Sequence, residues 1–273
     1  MTADGTGREN VFASWAKGVI GMLHLLPLPG SEAYRGEGLA RIMDRAMAEA
    51  RVLAEGGVDA ILVQNSGDGP FTLTGGPETI AYMSVIGAAL QREIRCPLGV
   101  NILANGAVEA LAVAHAIQAP FVRIKVYCGA VVSTGGVVAG TAMEALAFRR
   151  AIGAPHIAIA ADVYDRTSAP LGDLPLALMA DLAHRYGHAD ALIATGHAVE
   201  DSLARIREVK AAVPDAVVLA GGGTTHHNVG RFLAECDGVI VGSSIKDTGG
   251  FVGTVDRARL DVYMEAVAAA RAR

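Results

Sequence analysis

A chain of 273 residues with a formal net charge of −5 has the length of a single large α/β domain and carries no basic excess for a nucleic-acid partner. Hydrophobic residues make up 52% of it and aromatic residues only 5%, so the core is built from Ala, Val, Leu and Ile; no apolar run reaches the ~20 residues a membrane span needs, which excludes a transmembrane role and leaves only attachment to a membrane surface open. Three widely spaced cysteines, Cys96, Cys128 and Cys236, exclude a disulfide framework and read as reduced thiols of a cytoplasmic protein.

In chain order, the first ten residues are polar and lack the basic-then-apolar pattern of a signal peptide. Residues 1–18 read as an N-terminal segment and residues 19–273 as one domain. Apolar runs of strand length lie at 19–23, 60–64, 98–102, 121–125, 156–162, 191–195, 217–220 and 238–241. Several are apolar throughout, as parallel strands covered on both faces are. Between them, apolar residues recur at helical spacing over 38–55, 79–92, 108–116, 141–152, 176–186 and 199–212. Residues 255–273 read as a closing helix, with Arg271 and Arg273 suited to its C-terminal end. Strict alternation in eight units predicts a single (β/α)8 barrel. The alternative is an open doubly wound sheet, but no dinucleotide fingerprint follows the first strand. Two glycine-rich loops, 65–77 and 127–140, are long enough to be either lids or surface insertions.

Barrels of this kind place their chemistry at the C-terminal ends of the strands. Here that rim offers His24, Asn65, Asp68, Asn101, Asn105, Arg123, Lys125, Asp162, Asp165, Thr195 and His197. His24 ends the first strand and titrates near neutrality, so it is a candidate proton carrier. Asp162 closes an uninterrupted apolar run, where desolvation would raise its pKa and suit it to acid–base work; pairing with Arg123 or Lys125 is the competing reading. Alternation puts Arg123 and Lys125 on one face of the fourth strand, which is costly unless they meet carboxylates or an anionic ligand. Lys125 is a catalytic candidate mainly through its charge, with a Schiff base as the second option. Asn65, Asn101, Arg123, Thr195 and His197 are the substrate-binding candidates.

The strongest signal is the pair of glycine blocks after the last two strands. Gly221, Gly222 and Gly223 follow the seventh, and Gly242, Ser243 and Ser244 follow the eighth. Glycine lets a ligand approach bare amides, and these two loops of a (β/α)8 barrel commonly hold a phosphate. Lys246 could add charge if its loop folds inward. His226 and His227 read as helix-entry residues. No zinc-type spacing appears, so neither a metal nor a cofactor is expected.

Several of these blocks resemble the BtpA family. They are the opening run from Val19 through His24, Leu25, Leu26, Pro27, Leu28, Pro29 and Gly30; the residues Gly56, Gly57, Val58, Asp59 and Ala60, leading to Gln64 and Asn65; the run from Gly99 to Asn105; and the glycine blocks at 221–223 and 242–246. The resemblance runs from about Val19 to about Tyr263. It implies a sugar-phosphate type of barrel, a link to photosystem I biogenesis in one branch, and kinship with phosphoribosylanthranilate isomerase. Those isomerases place a base at the end of strand one and an acid at the end of strand five, the places of His24 and Asp162 here. They carry Cys or Asp, not His, at the first.

The resulting expectation is isomerase- or epimerase-type chemistry on a small phosphorylated, carbohydrate-like ligand. The alternatives are a non-catalytic assembly factor and a phosphometabolite-binding regulator. Alanine-rich helices point to a homo-oligomer.

Overall fold

The computed structural model describes residues 10–15, 17–250 and 252–273. Apart from Asn10, the polar stretch read above as lacking a signal peptide lies outside the described residues. The chain runs β1 (Gly18–His24), α1 (Gly38–Glu55), β2 (Ala60–Gln64), α2 (Pro77–Glu93), β3 (Leu98–Asn101), α3 (Ala107–Ala116) and β4 (Phe121–Ile124). An antiparallel hairpin follows, β5 (Ala130–Ser133) with β6 (Gly136–Ala139), then α4 (Ala142–Ala151), β7 (Ala158–Tyr164) and the two-residue β8 (Ala169–Pro170). The remainder is α5 (Leu176–Asp181), β9 (Ala191–Ala194), α6 (Val199–Ala212), β10 (Val217–Ala220), α7 (Val229–Leu233), β11 (Gly238–Val241) and α8 (Arg257–Arg271).

Eight strands close into a parallel barrel in the order β1-β11-β10-β9-β7-β4-β3-β2, and β6-β5-β8 form a separate small sheet. The (β/α)8 barrel expected from alternation is therefore the fold. Two local readings differ, and one short helix was not expected. Residues 127–140 are not an open loop: Val131, Val132, Val137 and Val138 pair across a hairpin whose turn needs Gly136 at a φ of +89°. Residues 176–186 are not one α-helix, because the segment Leu182–Tyr186 widens to i→i+5 bonding, with the Gly187 amide donating to Leu182 O at 2.7 Å. The helix α7 has only five residues, too few for an apolar period to register.

Strand alternation divides the core in two. Val19, Leu23, Ile61, Val63, Val100, Val122, Ile159, Leu192, Val218 and Val239 face outward beneath the helices. Ile20, Met22, Leu62, Phe121, Ala160, Ile193, Leu219 and Ile240 fill the barrel interior. Phe121 takes the space of two side chains, since a Cβ at Gly99 would lie 2.2 Å from its ring. The N-terminal end of the barrel is plugged by Phe12, whose ring meets Phe121 edge-on at 5.1 Å and Trp15 at 5.4 Å.

The same period of two sets what lies at the other end. One step beyond the apolar interior, the inward positions of the eight strands are His24, Gln64, Asn101, Arg123, Asp162, Thr195, Gly221 and Gly242. Large polar side chains occupy the β1-to-β7 side of this layer. On the β9-to-β11 side stand one threonine and two glycines, and there the mouth deepens.

Candidate active site

A cavity of ≈ 790 Å³ opens at the C-terminal mouth. His24, Gln64, Arg123, Lys125 and Thr195 line it from the barrel, and the runs Gly221 to His227 and Gly242 to Ser244 line the far wall. Both long loops reach it: Phe71 comes from residues 65–77, and Val131, Ser133, Thr134 and Val138 come from the hairpin.

The glycine wall is built for an anion. Gly222 and Gly223 hold φ values of +145° and +76°, in the left-handed region that favours glycine. Their N–H groups donate to no protein acceptor among the described residues. The Gly221 amide, by contrast, donates to Ala194 O at 3.2 Å, so it is not available as the phosphate donor the sequence suggested. Gly221 makes room instead: a Cβ there would lie 2.1 Å from Thr195 Oγ1. Thr195 Oγ1 and Ser244 Oγ are buried and have no hydrogen-bond partner among the described residues. An unmet buried hydroxyl costs about 1–3 kcal/mol, and both belong to residues of the cavity wall.

Arg166 stands over this wall, with its guanidinium nitrogens 3.9 Å and 3.6 Å from where Cβ atoms of Gly222 and Gly223 would sit. It makes no ion pair or side-chain hydrogen bond among the described residues. Arg259, His226 and His227 add further polar groups to the wall, and the two histidine rings lie in contact, tilted 44° with centroids 3.7 Å apart. Arg166 was missed in the sequence, where the signal would have been a basic residue in the loop that leaves β7.

On the opposite wall, His24 hydrogen-bonds Lys246, whose Nζ lies 2.8 Å from Nδ1. The sequence left Lys246 conditional on an inward loop. The structure turns it inward to 1% exposure, where Nζ also donates to Gly253 O at 3.2 Å. Burial lowers the Lys246 ammonium from its usual value and Arg45 pushes the same way, while the buried Glu49 opposes both. With the ammonium donating to Nδ1, a neutral His24 ring carries its proton on Nε2, so in that form the ring is a hydrogen-bond donor. This tautomer is directly testable. Nitrogen-15 shifts of His24 should report the Nε2–H form in the native protein and a mixture in Lys246→Met; the same tautomer in both would show that Lys246 does not set it.

Asp162 departs from its expected role. Because β7 runs on to Tyr164, Asp162 sits inside the strand instead of at its end, 5% exposed. Both oxygens are taken by Arg123, with Nε–Oδ1 at 2.9 Å and Nη2–Oδ2 at 2.8 Å. Burial pushes the Asp162 carboxyl up and Arg123 pulls it partly back. The pairing alternative is the observed state, and Asp162 does not line the main cavity. The carboxylate that does is Asp165, 2.8 Å from Lys125 Nζ. Burial raises Asp165, but Lys125 and the two Thr167 donors outweigh it and hold the carboxyl below its usual range. Lys125 also donates to Thr167 Oγ1 at 3.0 Å.

Three expected substrate-binding residues are placed elsewhere. Asn65 is a buried brace, donating to Asp68 Oδ2 at 2.9 Å and accepting from the Leu103 amide at 2.8 Å. Asn101 accepts from Gln64 Nε2 and donates to Arg123 O at 2.9 Å. His197 does not line the cavity and meets Tyr164 OH at 3.2 Å. Their hydrogen-bonding capacity is directed to protein groups because the rim loops need internal partners for their own backbone and polar atoms.

All three cysteines are free. Among the described residues, no helix is long and apolar enough to cross a membrane.

Comparison with known proteins places this geometry in a lineage. The photosystem I biogenesis protein BtpA of Synechocystis sp. is 36% identical, over 92% of this chain and 88% of its own length. Among solved structures, one described as the native KDPGal structure superposes with a TM-score of 0.59 at 17% identity, covering 93% of this chain and 96% of that one. Phosphoribosyl anthranilate isomerase from Thermococcus kodakaraensis gives 0.54 at 14% identity, covering 92% and 98%. At those identities the structural likeness is one of fold. A family model described as the BtpA family matches residues 15–269, and with that match and the Synechocystis relative the chain belongs to the BtpA family.

Proposed function

We propose that this protein is an enzyme for a small phosphorylated, carbohydrate-like ligand, with acid–base chemistry of the isomerase or epimerase type at the barrel mouth. The observation that carries this reading is the glycine wall: two undonated amides, two buried hydroxyls without partners and a cationic Arg166 converge on one side of the cavity. A phosphate there would satisfy donors that the protein leaves unmet. Phosphate also fixes the rest of the ligand in the cavity between His24 and Lys125.

In this proposal His24, held by Lys246, donates from Nε2 to a ligand oxygen on which negative charge develops. Asp165 takes the role first expected of Asp162, accepting a proton on the opposite side, while Lys125 sustains its charge. Arg123 presents its free edge to the ligand and keeps Asp162 compensated. A carboxylate held below its usual range is a weak base, so the proton it removes must be acidified by the His24 contact on the adjacent oxygen.

A second reading takes its support from the Synechocystis relative, named as a photosystem I biogenesis protein. It is a non-catalytic factor, or a phosphometabolite-binding regulator, that keeps the same phosphate wall. A thermal-shift screen against sugar phosphates, phosphoribosyl compounds and inorganic phosphate tests what the two readings share. Ligand at a hundred times its Kd should add about 2.7 kcal/mol of stability. Turnover of the best ligand, followed by NMR, then separates them. Loss of turnover in His24→Asn with binding retained supports the enzyme; a bound ligand that is never converted by the unaltered protein supports the factor.

A further inference from the structure

A second, smaller cavity of ≈ 150 Å³ lies beside the main one. Its roof comes from outside the barrel: Ala130 and Val131 of β5, Pro170 of β8, Leu171 and Leu174 of the following turn, and Met179 of α5. Val126, Val163, Leu176 and Cys128 add to the apolar part of the wall. Lys125, Val126, Val131, Asp165 and Ser168 line both cavities. The two volumes therefore meet at the Lys125–Asp165 ion pair, which forms a polar neck between them.

Size and chemistry together select the occupant. An apolar protein cavity of about 150 Å³ accepts a benzene molecule. Tyr164, Ser168 and Arg205 also line the pocket, but its roof is apolar, and hydroxyl groups of a sugar would find few partners against that roof, where burying them unpaired is unfavourable. The polar groups of the remaining wall are already engaged, Asp162 by Arg123, Asp165 by Lys125, Arg205 by Asp201, Tyr164 OH by His197 and Ser168 Oγ by Asp165 O. A compact apolar group of single-ring size is what remains.

We propose that this side pocket is a specificity subsite, and that the ligand carries a phosphate at one end and a ring-sized apolar group at the other. The proposal rests on the phosphate reading above and names the class of molecule that reading leaves open. The apolar group enters beneath the β5–β6 hairpin, the phosphate rests on the glycine wall, and the atoms joining them pass the neck. Bonds to be rearranged then lie between Lys125 and His24. The small β6-β5-β8 sheet acquires a purpose: it supplies much of the pocket's roof.

Cys128 provides a local reporter. It lines the pocket, is partly buried, and its thiol is pushed up by that burial. In a Cys96→Ser background, alkylation of Cys128 by iodoacetamide would be followed by peptide mass spectrometry. The ligands are phenyl-terminated phosphate monoesters of graded linker length, each set against its plain alkyl counterpart. At one linker length the phenyl compound should bind about tenfold tighter or better, from burial of the ring, and should slow Cys128 alkylation. Ala130→Phe and Met179→Trp each fill the pocket from its roof; a variant that keeps its melting temperature and its affinity for methyl phosphate should lose both effects. A phenyl group that never improves on alkyl, or improves equally in the filled variants, overturns the proposal. If neither inorganic nor methyl phosphate binds, the phosphate reading fails instead. Toluene alone then reads the pocket: slowed Cys128 alkylation, abolished by Ala130→Phe, upholds an apolar site there, and unchanged alkylation overturns it.

Discussion

Replacing Arg123 by Met is expected to destabilise the protein by about 3–5 kcal/mol, the usual consequence of leaving a buried charge without its partner. Asp162 is 5% exposed and both of its oxygens are held by the one guanidinium. Removing that group deprives the carboxylate of the cation that pairs with it, while burial continues to oppose ionisation. The loss should appear in both the melting temperature and the denaturant midpoint. A double substitution, Arg123→Met with Asp162→Leu, should recover most of it, since apolar replacement of a whole buried pair is often near neutral.

The pH dependence has a definite sign. Burial already raises Asp162 in the folded protein, and Arg123 restrains that rise. In Arg123→Met the restraint is gone, so the native state binds the proton more tightly than the unfolded chain does. Stability of the variant must then fall as pH rises through the raised value, and return as pH is lowered toward the unfolded carboxylate range. Equal stability of Arg123→Met and the unaltered protein at neutral pH would mean that the pair is not what holds this side of the mouth together.

Gly222→Asp should weaken phosphate binding on the order of a thousandfold, since a unit charge about 4 Å from a like charge costs about 4 kcal/mol at an effective dielectric of 20. There is space for the side chain: the nearest atom to a Cβ at Gly222 is Arg166 Nη2, 3.9 Å away. The new carboxylate would therefore sit at the wall, close to Arg166, and compete with a ligand phosphate for it. Gly222→Ala separates charge from backbone strain, because it shares the unfavourable φ of +145° and adds no charge. Titration calorimetry with inorganic phosphate and a sugar phosphate should show near-native binding in Gly222→Ala and none in Gly222→Asp. Binding retained by Gly222→Asp would move the phosphate away from this wall, and with it the proposed function.

Why the barrel was legible and parts of the site were not follows from the range of the signals. Eight apolar runs separated by helical periods are local patterns, and strands such as Ala60–Gln64, Val217–Ala220 and Gly238–Val241 coincide with the runs that announced them. His24 and Thr195 were reachable too, because alternation continues past the last apolar residue into the mouth, and Gly222 and Ser244 stood out in the glycine blocks after the last two strands. Asp162 was misjudged by one detail: β7 extends two residues beyond the expected end, which lowers the carboxylate into contact with Arg123. Asn65 and Asn101 looked like rim ligands because a sequence cannot show that loop atoms nearby will claim their amides. Lys246 depends on contacts between segments far apart in the chain. Its inward turn is held by the Lys246–Val255 bridge, and the Val255 amide in turn meets Glu49 of α1 at 3.3 Å. Arg166 reaches across the mouth to glycines on another strand, a relation no local pattern encodes.

The aromatic plug at the far end of the barrel has a kinetic consequence. With Phe12, Trp15 and Phe121 packed edge to face beneath layers of Ile20, Leu62, Ile193 and Ile240, the well is blind. Whatever enters must leave by the same opening, past Arg166 and the β5–β6 hairpin. Traffic in such a well is last-in, first-out, so any second reactant must arrive after the group seated deepest and depart before it. An anion leaving the glycine wall must also break its attraction to the rim cations on the way, so its residence time should shorten as salt is added.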